Sequence, residues 1–285
     1  MLAAWRRPRP LRKRSSALYN IGLQTEKGRD MAAESEKELL QLQKRLAELA
    51  RKSFEHNIYT YTNFLSMAEL DAFYRMPLED KGNDFELSGG REGCERQMLR
   101  FGSPESLGYE EEFPIACLSI KPLMEKFADT MTHRDFLGAL MNLGIDRSNL
   151  GDIFLEGKSA YVFCTEKIAP YIVENLNKVK HTNVKCSLAD ANKELPAKEP
   201  EEMRLTVASE RADGLVAKVF HLSRNQSLEL FREKKIYVNG RVNENNSYAM
   251  KKGDIVSVRG YGRFVYYGAD YETKKGKWSV SVGVY

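Results

Sequence analysis

The sequence predicts an α+β chain in three parts, and three observations carry that prediction. Residues 111–188 alternate β-rich runs with helix-period stretches in the order β-α-β-β-α-β, the split, ferredoxin-like (RRM-like plait) arrangement. Residues 204–285 set two helix-period segments ahead of an Asn-Gly turn and further strand-and-turn units. Between them lies "ADANKELPAKEPEE", charged, with two prolines and no sustained apolar face. With 285 residues the chain is long enough for two or three domains, each with its own core. The expected division is a basic extension over 1–30, an N-terminal mixed α/β module over 31–110, the ferredoxin-like domain over 111–188, a linker over 189–203 and the C-terminal domain over 204–285.

Taken in order, "MLAAWRRPRPLRKRSS" is Arg- and Pro-rich without helical or strand period, and residues 1–30 are expected to be disordered. An amphipathic helix is expected to begin within a few residues of Met31, which is read as the native start; a basic transit peptide or a nucleic-acid-binding arm are the other readings of 1–30. Leu39, Leu42, Leu46, Leu49 and Ala50 then follow helical spacing. Ser66 with Glu69 three residues on forms a capping box opening a second helix. "FELSGGREGCERQMLRFG" places a Gly-rich connection between two short apolar segments; it lacks the Gly-Lys-Ser/Thr ending of a phosphate loop and reads as a structural turn.

The central part opens with "PIACLSI" as a strand, followed by "THRDFLGALMNLG" as a helix that Thr132 can cap. "GDIFLEGKSAYVFCT" is a hairpin around Glu156-Gly157-Lys158, and "EKIAPYIVENLNKV" a helix with Pro170 in its first turn. "TNVKCSL" closes the unit as a strand. Tyr161 and Phe163 share one strand face, where they serve either as core or as base-stacking groups. In the C-terminal part, "RADGLVAKVFHL" forms one helix with Leu215, Val219 and Leu222 on a face. "SRNQSLELFREKK" forms a second, capped by Ser223, with Leu228 and Phe231 as its apolar stripe. "IYVNGRV" is a hairpin turning at Asn239-Gly240, and "KKGDIVSV" adds a turn and strand. In the tail, Trp278, Val280, Val282 and Val284 alternate, so one face of the last strand is expected to be buried.

Charge is segregated along the chain. The overall +4 resolves into +6 over residues 1–30, −9 over 31–203 and +7 over 204–285. That pattern suggests a polyanion-binding C-terminal part joined to an acidic body able to meet a protein partner. No apolar run reaches the ~20 residues of a bilayer span, so no membrane insertion is expected. The four cysteines lack any Cys-x-x-Cys pair and read as reduced thiols of a cytoplasmic protein. His56, His133, His181 and His221 are scattered without a metal-ligand pair, and neither a metal nor a cofactor is expected.

"RADGLVAKVFHLSRNQSLELFREKKIYVNGRVNENNSYAMKKGDIVSVRG" resembles the S-four (alpha-L) RNA-binding domain. The family pattern Arg-Leu-Asp, Ser-Arg, Val-Asn-Gly and Lys-x-Gly-Asp is met by Arg211-Ala212-Asp213, Ser223-Arg224, Val238-Asn239-Gly240 and Lys251-Lys252-Gly253-Asp254; Ala212 replaces the usual Leu, and Lys235 stands where many members have Gly. From about Met31 onward the chain resembles YlmH-type proteins, a likeness carried by "HRDFLGALMNLGIDRSNLGDIF" and by Gly89-Gly90 and Glu95-Arg96. The resemblance implies RNA binding on the large ribosomal subunit or its tRNA, in rescue or quality control of stalled translation, with a less direct link to bacterial cell division.

Phosphate oxygens need cationic donors, Arg as a planar fork and Lys as a mobile point charge. Arg211, Ser223, Arg224 and Gln226 are therefore expected to meet RNA from the helical pair, with the start of the second helix as a phosphate site. Arg232, Lys234, Lys235, Asn239 and Arg241 would meet it from the junction and turn, reading A-form shape more than base identity. For Asn239 a purely conformational role is the alternative. Two other classes stay open: an RNA-modifying enzyme with an unrecognised active site, and a protein-interaction adaptor. Against the enzyme, the chain carries no Gly-rich methyl-donor loop, no His-x-Gly-His and no Gly-Arg-Leu-Asp.

Overall fold

The computed structural model describes residues 17–82, 84–195, 200–274 and 276–285. The chain divides into two compact units, Met1–Arg45 and Leu46–Tyr285. Helix α1 (Ala17–His56) starts well before Met31, so residues 17–30 are helical where disorder was expected. The reason is local: beyond Pro10 no proline intervenes, and "ALYNIGLQTEK" is rich in residues that extend an existing helix at little cost. Residues 1–16, with the Arg–Pro run, lie outside the described residues.

Among the described residues the larger unit holds three sheets. The first contains β1 (Thr60–Leu65), β2 (Phe85–Ser88) and β3 (Gln97–Phe101), in the order β1-β3-β2. Helix α2 (Met67–Tyr74) follows β1, and Ser66 and Glu69 form the expected capping box. Two one-turn helices, α3 (Leu78–Lys81) and α4 (Pro104–Leu107), flank the hairpin of β2 and β3.

The second sheet runs through β4 (Ile115–Pro122), α5 (His133–Met141), β5 (Leu150–Glu156), β6 (Ser159–Thr165), α6 (Ala169–Asn175), β7 (Lys178–Val179) and β8 (Thr182–Ala189). Its order, β5-β6-β4-β8-β7, is the split βαβ arrangement with a short edge hairpin added. Strand alternation divides the apolar residues between two cores. Leu118, Ile120 and Val162 pack against Phe136, Leu140 and Ile172 of the helices. On the opposite face, Cys117, Tyr161 and Phe163 pack against Phe64, Cys94 and Met98 of the first sheet and its loop. Tyr161 and Phe163 are thus core, not stacking groups.

The third sheet corrects the expected linker. After the short helix α7 (Ala191–Glu194), strand β9 (Glu201–Val207) pairs along its length with the last strand, from Glu201↔Val284 to Val207↔Trp278. Met203, Leu205 and Val207 point to one core in a period-2 pattern, masked in the sequence by the glutamates before them. Next come α8 (Ala212–Val219), α9 (Arg224–Arg232), β10 (Ile236–Val238), β11 (Arg241–Val242), β12 (Ile255–Val258), β13 (Gly262–Glu272) and β14 (Trp278–Val284). The sheet order is β11-β10-β12-β13-β14-β9. Asn239 and Gly240 both take positive φ, 51° and 77°, as a two-residue hairpin turn requires. The inner face of α9 is Ser227, Leu230 and Phe231, whereas Leu228 is only half-buried. Val280 and Val282 are buried as expected, but Trp278 sits at the sheet's open end and stays partly exposed.

The Gly-rich loop between β2 and β3 is where the sheets meet. Gly90 has φ +93°, and a Cβ there would stand 2.4 Å from the Phe163 ring; a Cβ on Gly151 would stand 2.8 Å from the Phe64 ring. Both glycines are needed for the first two sheets to close on each other. Gly90→Ala combines backbone strain with overpacking and is expected to destabilise the fold by about 2–4 kcal/mol, measured by chemical denaturation. A loss below the usual surface value of about 0.5 kcal/mol would mean the interface relaxes freely.

Candidate nucleic-acid interface

The helical pair α8–α9 is organised around one carboxylate. Asp213 is 1% exposed, yet it lies in the first turn of α8 among mostly polar neighbours. It accepts two hydrogen bonds from the Arg211 guanidinium, at 3.1 Å from Nε and 3.0 Å from Nη2, and a third from the Gly214 N–H at 2.9 Å. Arg224 Nη2 approaches the same carboxylate at 3.9 Å. The Ser227 hydroxyl donates to the Asp213 carbonyl at 2.9 Å and ties the second helix to the first. Two guanidiniums around one carboxylate leave a net positive charge facing outward. Arg211 is 38% exposed and Arg224 75% exposed at the side chain, so both can be reached from solvent.

Ser223 and Gln226 build the start of α9. The Gln226 N–H donates to Ser223 Oγ at 3.2 Å and the Ser223 N–H to Gln226 Oε1 at 2.8 Å. Each side chain is partly engaged by this capping box, while among the described residues the N–H groups of Arg224 and Asn225 have no hydrogen-bond partner. The start of α9 thus presents free backbone donors beside the Arg224 side chain, the kind of helix end that favours anions.

The remaining expected residues divide. Arg232 pairs with Glu229 at 3.2 Å, Lys234 with Glu244 at 3.2 Å and Lys235 with Glu233 at 2.7 Å. Such exposed pairs contribute little to stability. Arg241 lies over the Tyr74 ring of α2 at 5.1 Å, with its position steadied by the Val242 N–H donating to Asp71 at 3.2 Å. Asn239 is different. Its Nδ2 donates to Asp254 at 2.8 Å and its Oδ1 accepts from the Ile255 N–H at 2.9 Å, so the side chain serves the turn. The conformational alternative is the one this geometry favours. Asp254 is a buried hub that also accepts from the Tyr248 hydroxyl and the Lys251 N–H.

Four further cations stand outside the expected contact set: Lys218 and Arg259, and Lys251 and Lys252 of the Lys-x-Gly-Asp match, are exposed and, among the described residues, unpaired with any carboxylate. The Arg259 N–H donates to the Lys235 carbonyl at 3.0 Å, which sets these two basic residues side by side. For Arg259 the sequence signal is "SVRG", a lone arginine directly after an apolar strand, and its neighbour Lys235 is set by tertiary pairing.

The two stretches that carry the wider resemblance meet each other. Asp152 on β5 accepts from the Glu95 and Arg96 N–H groups, and Arg96 donates to the carbonyls of Leu150 at 3.0 Å and Phe64 at 2.8 Å. Arg147 also donates to Leu150 O, and burial followed by the neighbouring Arg96 lowers it to about 10. These groups lock the first sheet to the second. Burial, and then the nearby Asp152 charge, raises Glu95 above the ordinary carboxylate range. A raised acid contributes stability below its unfolded pKa, near 4, and loses it as pH rises through the folded pKa. Glu95→Gln is therefore expected to be more stable than the parent chain at neutral pH, with the difference vanishing toward pH 4; equal pH profiles in thermal melts would contradict this.

The cysteines do not look like nucleophiles. All four are buried, and burial pushes Cys94 and Cys164 up to about 12 and Cys186 up to about 11. Among the described residues no His, Cys, Asp and Glu group is placed to hold a metal ion, and no helix is long and apolar enough to cross a membrane.

Comparison with known proteins adds three findings. A family model described as the putative RNA-binding domain in YlmH matches residues 109–193, the span of the second sheet and its helices. Ribosome-associated protein quality control protein P2 of Bacillus subtilis (strain 168) is 32% identical over 199 residues, covering 68% of this chain and 76% of the relative. The solved cell division protein ylmH from Streptococcus pneumoniae is 19% identical with a TM-score of 0.45, over 56% of this chain and 94% of its own.

Proposed function

Because the chain belongs to the family of YlmH-type proteins, we propose that it is a non-enzymatic RNA-binding protein of the ribosome that grips structured RNA with its C-terminal domain. The observation that carries this reading is the Asp213-centred patch, where Arg211 and Arg224 are held beside the open start of α9. Phosphates bind there by charge and by the helix end, while Arg232, Lys234, Lys235, Arg241 and Arg259 extend the basic surface along the hairpin. Asn239 acts by holding the turn. The finer reading is rRNA or tRNA on the large subunit during rescue of stalled translation, with the acidic residues 31–203 free to meet a protein partner. Such a role would place the chain with cytoplasmic ribosomes.

In-cell crosslinking with sequencing of the attached RNA, beside gradient sedimentation, tests it. Enrichment of large-subunit rRNA and tRNA with co-sedimentation is the expected result. Scattered RNA without a ribosomal peak would reduce the reading to a generic RNA binder, and no RNA would overturn it.

A further inference from the structure

The second domain cannot use its open sheet face for RNA, because Phe64, Cys94 and Met98 cover Tyr161 and Phe163. Its helical side is shaped differently. A groove of about 430 Å³ runs between α5 and the segment from α6 to β7, lined by Arg134, Asn142, Asn177, Lys178 and Lys180. We propose that this groove is a second RNA site, which takes a single-stranded or loop segment by its phosphates and sugar hydroxyls. The inference rests on the RNA-binding reading above and assigns a separate surface to it.

Arg134 and Gly138 of α5 and Asn142 at its C-terminal cap are spaced four residues apart and fall on one face. A Cβ on Gly138 would meet nothing within 4 Å, so the groove floor is open to an approaching backbone. Arg134 and Lys178 are exposed and, among the described residues, have no carboxylate in ion-pair range. The one acid of the groove, Asp135, already accepts from the Thr132 N–H and hydroxyl, both at 2.8 Å, and lies 4.0 Å from Lys180. Cations that remain free beside such an engaged acid favour a polyanion. Asn142 and Asn177 carry both donors and acceptors, which suits 2′-hydroxyls and base edges better than a bare anion.

An aromatic platform borders the same hairpin. Phe127 is 77% exposed with Lys126 Nζ 5.8 Å from its ring centre. Its loop is held to the start of β8 by the Leu123 N–H donating to Asn183 O at 3.0 Å and the Asp129 N–H to Thr182 Oγ1 at 2.9 Å. Lys180 lies on the groove side of that hairpin. An exposed ring beside Lys126, on a loop tied to the hairpin that carries Lys180, matches base stacking along a single strand and favours RNA over an acidic peptide.

The test uses the full chain and a labelled oligouridylate of about twelve nucleotides carrying 4-thiouridine. Arg134→Glu with Lys178→Glu is expected to weaken binding about tenfold and to lower the salt slope by roughly 1.4. Gly138→Phe, which fills the groove without altering charge, is expected to weaken binding several-fold with an unchanged melting temperature. Photocrosslinks should map to residues 133–142 or 175–182 as well as to the C-terminal domain. Parent-like binding by both variants, with crosslinks confined to the C-terminal domain, overturns the groove and leaves the proposed function standing. Crosslinks in the groove alone uphold it while removing the C-terminal site, and crosslinks nowhere overturn both. Variants that bind the oligonucleotide normally yet lose ribosome co-sedimentation would assign the groove to a protein and overturn the RNA reading.

Discussion

Replacing Arg224 and Arg241 together by alanine is expected to weaken RNA binding by one to two orders of magnitude near 0.1 M salt. It should also lower the slope of log K against log salt by about 1.8. Each arginine that neutralises a phosphate releases counterions, so its loss appears in the slope as well as the affinity. Both side chains are exposed, and their internal contacts are weak: 3.9 Å to Asp213 for Arg224, and a ring contact at 5.1 Å with Tyr74 for Arg241. The fold should therefore lose no more than about 1 kcal/mol. Fluorescence anisotropy over a salt series measures both quantities. Unchanged affinity and slope would remove the two residues from the interface. The corresponding lysine pair should keep the slope while losing the bidentate part of the affinity.

Asp213→Ala is expected to act through structure instead. Removing a buried carboxylate leaves the Arg211 fork and the Gly214 N–H without their acceptor, a loss of 3–5 kcal/mol for a fully buried pair. Arg211 is partly exposed, so water recovers some of that and about 2–3 kcal/mol is the expected cost. RNA affinity should fall because Arg211 loses its anchor beside Arg224, while the salt slope should persist because both charges remain. A variant with parent stability would show that Asp213 does not organise the patch. One with a diminished slope would show that it acts through charge rather than position.

The parts of this chain that could be read without a structure are those whose hydrogen bonds close within a few residues. Ser66 with Glu69 and Ser223 with Gln226 satisfy helix-start N–H groups locally, so a short string suffices to place them. Asn239-Gly240 is legible because a two-residue hairpin demands two positive φ values. The split βαβ order followed from alternating periods alone, and the polar positions of the C-terminal motif were visible as residue types. Their division of labour was not. Asp213 and Asn239 both stand in the sequence as polar motif positions, yet one holds the Arg211 fork and the other a turn.

What local sequence could fix is the split βαβ order, the two capped helices with the Asn239-Gly240 turn after them, and the segregation of charge, since each depends on neighbours along the chain. Tertiary structure alone decided which surfaces remain available. It paired β9 with β14, although a long stretch of sequence separates them, and so turned part of an apparent linker into a sheet edge. It buried Tyr161 and Phe163 under Phe64 and Met98, which moves any RNA contact of that domain to another face. It also set Arg241 on Tyr74 and Arg259 beside Lys235. Burial and adjacency between distant segments depend on which faces find complementary partners during packing, and no local propensity encodes that choice.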